Sequence, residues 1–389
     1  MPGETSQDDH RWKADRGTMK DIPLVDLSIP HKRLGPAIVA AIEQMVADSE
    51  FIGGKRLKNF EAEFAAFAGA RFAVGVSNGT SAIALALKAS GVGPGDEVIT
   101  VAHTFIATAE AVLEAGAVPV FVDVDPASGV MTAENVAAHV TGKTRAVLPV
   151  HLYGHPVDLS AISELCSKRG LTLIQDSSQA HGALWDGMPL SAFGEAQTYS
   201  FYPGKNLGAW GDAGAIVTDD EKMAEHLRSL RDHGRRSGAK YVHEDIGGNY
   251  RMDPIQAIVL SHKLPELGLG NARRRELFRC YSECLAGIGD ISIIAPPKRG
   301  TAVHHLFVIR SKFREGLKSF LKEKGIATGI HYPLPLHKQP AFARYAALDL
   351  PSTERLCSEI LSLPFYPELS QEQVLRVSDT VREFFEKRT

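Results

Sequence analysis

The chain has 389 residues, 44% hydrophobic and 23% charged, with a formal net charge of -3 while its 15 histidines stay neutral. This globular composition excludes the basic stripe of a nucleic-acid binder, and no apolar run reaches the roughly 20 residues that a bilayer span takes. At roughly 100–200 residues per domain the length allows two or three domains.

The segment Met1 to Lys20 is polar and mixed in charge. It lacks the apolar stretch of a secretory signal, so it reads as a disordered tail with Met19 as an alternative start, and a cytoplasmic protein follows by default. The cysteines at 166, 280, 284 and 357 form no C-x-x-C pair and read as free thiols in a reducing compartment. Asn78-Gly79-Thr80 fits a glycosylation sequon, an accidental match without a signal peptide.

From residue 72 to about 218, short apolar runs alternate with helical periodicity. Phe72–Val76 reads as a strand, Ser81–Ser90 as a helix, Gly91–Asp96 as a turn and Glu97–Val101 as a strand. Phe105–Ala115 then reads as a helix and Val118–Val122 as a strand. Arg145–His151 follows as a strand, Leu159–Arg169 as a helix and Leu171–Gln175 as a strand. This alternation predicts an α/β fold, a mostly parallel sheet flanked by helices and buried on both faces. After residue 221 the pattern changes. Lys222–Arg231 reads as a helix and Arg231–Tyr241 as a basic loop; Asp253–Leu264 and Asn271–Leu285 read as helices. Strands such as Val303–Arg310 then mix with helices such as Phe313–Lys324 and Gln371–Lys387. The expected division is a tail at 1–20, a large domain at 21–264 and a smaller C-terminal α/β domain at 265–389.

Ligands of an open α/β sheet sit at the carboxyl ends of its strands. After Phe72–Val76, Ser77-Asn78-Gly79-Thr80-Ser81 opens a helix, whose unpaired N–H groups suit a phosphate; a plain capped start is the other reading. After Leu171–Ile174 stands Asp176, a carboxylate that burial makes costly unless paired. A pyridinium nitrogen is one suitable partner and a helix cap the alternative. After Gln197–Ser200, Lys205 sits in a glycine-rich turn with the apolar flanks Phe201 and Leu207. A solvated loop lysine is the ordinary reading, whereas desolvation would free the amine as nucleophile and base. No nucleotide-binding glycine motif is present. His331 and His337 have no Cys or carboxylate at metal-ligating spacing, so no metal is expected.

These segments occur in a fixed order. They are Ser77-Asn78-Gly79-Thr80-Ser81-Ala82, Thr104-Phe105-Ile106-Ala107-Thr108, Phe121-Val122-Asp123-Val124-Asp125-Pro126 and Gln175-Asp176-Ser177-Ser178-Gln179-Ala180-His181-Gly182. Ser200-Phe201-Tyr202-Pro203-Gly204-Lys205-Asn206-Leu207-Gly208, Gly248-Asn249-Tyr250-Arg251-Met252-Asp253 and His331-Tyr332-Pro333-Leu334-Pro335-Leu336-His337 complete the set. From about Phe51 to about Phe342 the chain resembles the DegT/DnrJ/EryC1/StrS aminotransferase family, fold-type-I enzymes of pyridoxal 5'-phosphate (PLP), which implies a mostly parallel, mixed central sheet. The resemblance implies that Lys205 carries PLP as a Schiff base, that Asp176 partners the ring nitrogen and that Gln179 touches the ring oxygen. It implies that Phe105 stacks on the ring and that Gly79, Thr80 and Ser200 hold the phosphate. Asn249 would reach the phosphate of the neighbouring subunit, making the site a property of a homodimer, and Arg251, His331, Tyr332 and His337 would lie toward the substrate.

The resemblance further implies transfer of an amino group from L-glutamate to a keto sugar on a nucleoside diphosphate, the cofactor cycling through pyridoxamine 5'-phosphate. The patterns at Phe201–Asn206 and Lys240–Glu244 lean toward 3-keto deoxy sugars. A 4-keto sugar, a cyclitol or other keto substrate, and a non-catalytic sensor on the same fold stand as alternatives. Retained Lys205 argues against the dehydratase branch that has lost this lysine. The basic residues Arg231, Arg235, Arg236 and Lys240 are candidates to line the mouth of the site, a solvated charged face being the other reading.

Overall fold

The computed structural model describes residues 21–235, 238 and 240–388. The expected tail at 1–20 and Arg236 lie outside the described residues. Two helices precede the first strand, α1 (Ser28–Ala47) and α2 (Gly54–Ala68). The sheet region then runs β1 (Phe72–Val76), α3 (Gly79–Ala89), β2 (Glu97–Val101), α4 (Ala107–Glu114) and β3 (Val118–Val122). It continues through α5 (Ala133–Ala137), β4 (Thr144–Val147), α6 (Leu159–Arg169) and β5 (Thr172–Asp176). A short ribbon of β6 (Leu184–Trp185) and β7 (Met188–Pro189) leads to β8 (Ala196–Ser200) and β9 (Gly214–Thr218). Helices α7 (Glu221–Leu230), α8 (Pro254–Lys263) and α9 (Leu267–Leu285) follow, then β10 (Ser292–Ile293), β11 (Gly300–Thr301) and β12 (Phe307–Arg310). The chain ends through α10 (Arg314–Glu323), α11 (Pro351–Glu359), β13 (Ile360–Leu363) and α12 (Gln371–Glu386).

The central sheet has seven strands in the order β1-β9-β8-β5-β4-β2-β3. β9 pairs antiparallel with β1 and β8, and every other pairing is parallel. The sheet is therefore the expected mostly parallel, mixed one. Successive side chains point to opposite faces of a strand. Val98, Ala146 and Ile174 thus join one core with α3, while Ile99, Val147 and Leu173 join another across the sheet. Burial on both faces explains why these strands are apolar throughout. Helix α3 is buried from Ser81 to Leu87 and contacts β5, β8 and β9, which fixes its N-terminus at the carboxyl edge of the sheet.

A smaller three-stranded sheet, β10-β12-β13, packs on α9, α10 and α12. The beginning of the described chain joins this C-terminal layer. Ile22 is buried in its core, donates to Gly325 and accepts from Ala327, both at 2.9 Å. Among the described residues no helix is long and apolar enough to cross a membrane, and all four cysteines are unpaired.

Several boundaries differ from expectation. The helix expected at Phe105–Ala115 begins at Ala107, after a turn in which Thr108 N–H donates to the Phe105 carbonyl. The strand expected at Arg145–His151 spans Thr144–Val147, because Pro149 has no N–H to continue the ladder. The strand expected at Val303–Arg310 starts at Phe307, since Val303 and His305 donate instead to Gly154 and Tyr153. The helix expected at Asn271–Leu285 starts at Leu267, in spite of Gly268 and Gly270.

Candidate active site

At the carboxyl edge of the sheet a cavity of about 440 Å³ opens between the ends of β1, β5 and β8. Its wall includes Gly79, Thr80, Phe105, Asp176, Gln179, Ser200, Lys205 and Tyr332, residues spread over more than 250 positions of sequence. The volume falls within the range of small-molecule and cofactor sites.

The cup at one end is built by β1 running into α3. Asn78 accepts from Ser81 N–H, and the Ser81 hydroxyl accepts from Asn78 N–H, a reciprocal capping box. This leaves Gly79 and Thr80 at the first helical positions, whose N–H groups have no carbonyl one turn back. A Cβ on Gly79 would stand 2.6 Å from Ser200 Cβ, so glycine is what lets α3 meet the end of β8. Amides and the hydroxyls of Thr80 and Ser200 make an anion cradle at a helix N-terminus.

Asp176 ends β5 and is buried. Its Oδ2 accepts from Thr108 Oγ1 at 2.9 Å and its Oδ1 from Ser178 N–H at 3.1 Å. Because the Thr108 proton is committed to Asp176, the 3.0 Å contact between Thr104 and Thr108 has Thr104 as donor. No cation pairs with this carboxylate among the described residues.

Lys205 sits in the turn after β8, its N–H donating to the Tyr202 carbonyl at 2.8 Å. Next to it, Asn206 Nδ2 donates to Asn271 and Val303, and Asn206 Oδ1 faces His305 Nδ1 at 3.0 Å. These bonds fix the turn, while the Lys205 amine has neither hydrogen bond nor ion pair among the described residues. Desolvation lowers the Lys205 pKa to about 8, with the Asp176 charge opposing the shift. Burial and the Lys205 charge push His181 down to about 3 and His331 to about 4. The histidines around the lysine are therefore neutral.

Gln179 has a determined orientation. Its Oε1 accepts from Tyr153 N–H at 2.6 Å, so its Nε2 donor is turned toward Tyr332 Oη, 3.5 Å away, at the cavity wall. Phe105 is 54% exposed, and its ring lies tilted 5.6 Å from that of Tyr332, leaving an aromatic face open to the cavity.

Four expected residues do not line this cavity. Asn249 forms a backbone bridge with Asp232, and the Arg251 guanidinium pairs with Asp232 at 2.6 Å. The His331 ring is directed to Ser362 Oγ at 2.9 Å, with its neighbour Tyr332 at the wall. His337 is wholly buried, its Nε2 2.9 Å from Glu354 Oε1. In the basic stretch, Arg231 is paired with Glu61 and Arg235 with Asp232. Thr108 and Tyr153 emerge as supports of the site that the sequence reading did not single out. Thr108 lies inside one of the quoted segments, the one signal that could have marked it. Among the described residues no group of three His, Cys, Asp or Glu could hold a metal ion.

Anion cradle, carboxylate and unpaired amine are spaced around one cavity, with an aromatic face between them. A planar, phosphorylated pyridine aldehyde meets all four, so the residues present fit PLP.

Known proteins point the same way. The sequence profile of the DegT/DnrJ/EryC1/StrS aminotransferase family matches residues 32–382. A pleiotropic regulatory protein of Geobacillus stearothermophilus is 44% identical over 94% of this chain and 99% of its own. A dTDP-3-amino-3,4,6-trideoxy-alpha-D-glucose transaminase of Streptomyces venezuelae is 43% identical, covering 94% of this chain and 97% of its own. The crystal structure of DesV from S. venezuelae, in complex with a ketimine intermediate, superposes with a TM-score of 0.92 at 43% identity, covering 95% of this chain and 99% of DesV.

Proposed function

The chain belongs to the DegT/DnrJ/EryC1/StrS aminotransferase family, and on that premise we propose that it transfers the amino group of L-glutamate to a keto sugar linked to a nucleoside diphosphate. The products are an amino sugar and 2-oxoglutarate, and the cofactor is PLP. The carrying observation is the partnerless amine of Lys205 in the same cavity as the buried carboxylate of Asp176 and the Gly79–Thr80 cradle. The name of the S. venezuelae relative favours C3 of the sugar as the acceptor position.

When bound, PLP supplies a reactive carbonyl and a protonated ring that takes up the electron pair released at the donor's Cα. Lys205 Nζ, with a pKa near 8, is partly neutral at physiological pH. It serves first as the nucleophile that holds the cofactor and then as the base that carries the Cα proton. Asp176, which accepts from Thr108 and Ser178, would hold a proton on the ring nitrogen. Gln179 Nε2 would donate to the ring oxygen, Phe105 would cover the ring, and Gly79, Thr80 and Ser200 would bind the phosphate. Tyr332 bounds the substrate side. Asn249 and Arg251, off the cavity of their own chain, serve the cavity of a partner in a homodimer. The large and almost wholly exposed Tyr241 and Ile246 nearby support a covered surface there. We also propose the division at residues 264 and 265, and a cytoplasmic enzyme.

The test is to incubate the PLP-loaded protein with L-glutamate and a panel of 3-keto and 4-keto sugar nucleotides and a cyclitol ketone. 2-Oxoglutarate and the amino product are followed by mass spectrometry. Product from a 3-keto sugar nucleotide is the expected result. Cofactor binding without 2-oxoglutarate from any acceptor would overturn the reading in favour of a non-catalytic sensor; the name of the G. stearothermophilus relative carries a regulatory role.

A further inference from the structure

Behind the cavity wall four groups from distant parts of the chain form one buried line. Cys357 Sγ lies 3.3 Å from His103 Nδ1, His103 Nε2 lies 2.8 Å from Tyr153 Oη, and Tyr153 Oη lies 2.5 Å from the His331 carbonyl. The direction of every bond can be assigned from the last. A carbonyl only accepts, so the Tyr153 proton points to His331. Tyr153 Oη must then accept from His103, which places the ring proton on Nε2. The bare Nδ1 therefore accepts from the Cys357 thiol.

Cys357 and His103 are too deeply buried to act as a thiolate–imidazolium pair. Burial raises the thiol to about 12 and lowers the imidazole to about 4, against a weak opposing pull from Asp123, so both are neutral. All three side chains are shut off from solvent, none lines the cavity, and none has a part in the chemistry above. What the line reaches is the peptide that carries Tyr332 into the cavity wall. The same Tyr153 also fixes Gln179 through its backbone N–H.

We propose that Cys357, His103 and Tyr153 form a one-way hydrogen-bond relay that positions Tyr332, and thereby the acceptor substrate, across the cavity from Lys205. The three are positioning residues. The inference rests on the aminotransferase reading only for its substrate.

Two kinds of variant and three measurements test it. Tyr153→Phe keeps the ring and the backbone N–H to Gln179 but removes the hydroxyl, and with it both the bond to the His331 carbonyl and the one from His103. The Michaelis constant for the keto sugar should rise about fivefold, the worth of one neutral hydrogen bond, with kcat changed less than about twofold. Cys357→Ser retains a donor to Nδ1 and should behave as wild type, whereas Cys357→Ala should show the rise. A role in packing alone predicts the reverse order, since serine adds a buried hydroxyl to the loss of sulfur. In protein free of cofactor, ¹⁵N spectra of the His103 ring should find the proton on Nε2. Hydrogen exchange of the peptide around residues 330–334 should speed up in Tyr153→Phe and Cys357→Ala but not in Cys357→Ser.

A proton on Nδ1 would overturn the relay. Unchanged exchange and Michaelis constants in Tyr153→Phe and Cys357→Ala would overturn positioning. Should Tyr153→Phe not fold, the Cys357 pair decides alone. Should wild type convert no keto sugar, the aminotransferase reading fails, while the ring proton and exchange still decide the relay.

Discussion

Replacing Thr108 by valine removes one hydroxyl and leaves the shape of the side chain. In the folded protein that hydroxyl donates to Asp176 Oδ2 at 2.9 Å, one of two donors to the buried carboxylate among the described residues. A hydrogen bond to a charged group is worth roughly 1.5–3 kcal/mol, which is about one to two decades in an equilibrium constant. Thr108→Val should therefore loosen the hold on the Asp176 carboxylate and lower kcat by about 10- to 100-fold. Cofactor content should stay near normal, because the phosphate cradle and Lys205 are untouched. Thr108→Ser keeps the donor and should retain activity. The assay is glutamate-dependent formation of 2-oxoglutarate beside the absorbance of bound cofactor. Asp176→Asn removes the charge itself and should reduce rate far more than cofactor content. In that background Thr108→Val should cost little, since interacting neighbours are not additive. An equal cost in both backgrounds, or a Thr108→Val enzyme of normal rate, would refute the assignment.

Lys205→Met should end turnover and also stabilise the cofactor-free protein, because burial lowers the pKa of this amine from 10.5 to about 8. Below pH 8 folded and unfolded chains both hold the proton and the fold bears the full cost, on the order of 3 kcal/mol. Between pH 8 and 10.5 only the unfolded chain keeps it, so the wild type gains stability as pH rises. Melting curves should show the advantage of Lys205→Met shrinking across that window, and an advantage independent of pH would contradict the buried charge. Gly79→Ala places a methyl 2.6 Å from Ser200 Cβ and should cost about 1–3 kcal/mol of stability together with cofactor affinity. An unshifted melt would mean that the two chain ends can part freely. Mixing Asn249→Ala with Lys205→Ala subunits should restore activity above either alone by rebuilding one whole site per mixed dimer. Absence of rescue after demonstrated subunit exchange would place Asn249 in its own chain's service.

The strands Phe72–Val76, Glu97–Val101 and Val118–Val122 were legible to the residue, because apolar β-formers bounded by Gly, Pro and Asp turns carry their limits locally. Convergence of Gly79, Asp176, Ser200 and Lys205 was legible too, since a parallel sheet brings the residues after its strands to one edge. Antiparallel β9 was not, for strand direction is decided by pairing across the sheet and leaves no local mark. The two-residue strands β6, β7 and β11 are too short to show a period. Thr108 meets Asp176 across 68 positions and Tyr153 meets His331 across 178, contacts that no spacing in a single sequence reveals. His337 looked like a substrate contact because it stands in a matched segment, yet Glu354 is its neighbour in space.

The seat of Ile22 among residues of the C-terminal layer has a bearing on biosynthesis. The chain leaves the ribosome with residue 22 early and its partners Gly325 and Ala327 late. The central sheet can close around the future cavity while the smaller layer still waits for its last helix. The early segment must then remain unclaimed for some 300 residues of synthesis before it finds its place. Contacts so distant along the chain are slow to form, so completion of that layer should be a late event in folding. Trimming the chain past Ile22 should loosen the far end of the protein, not the end from which the residues were taken.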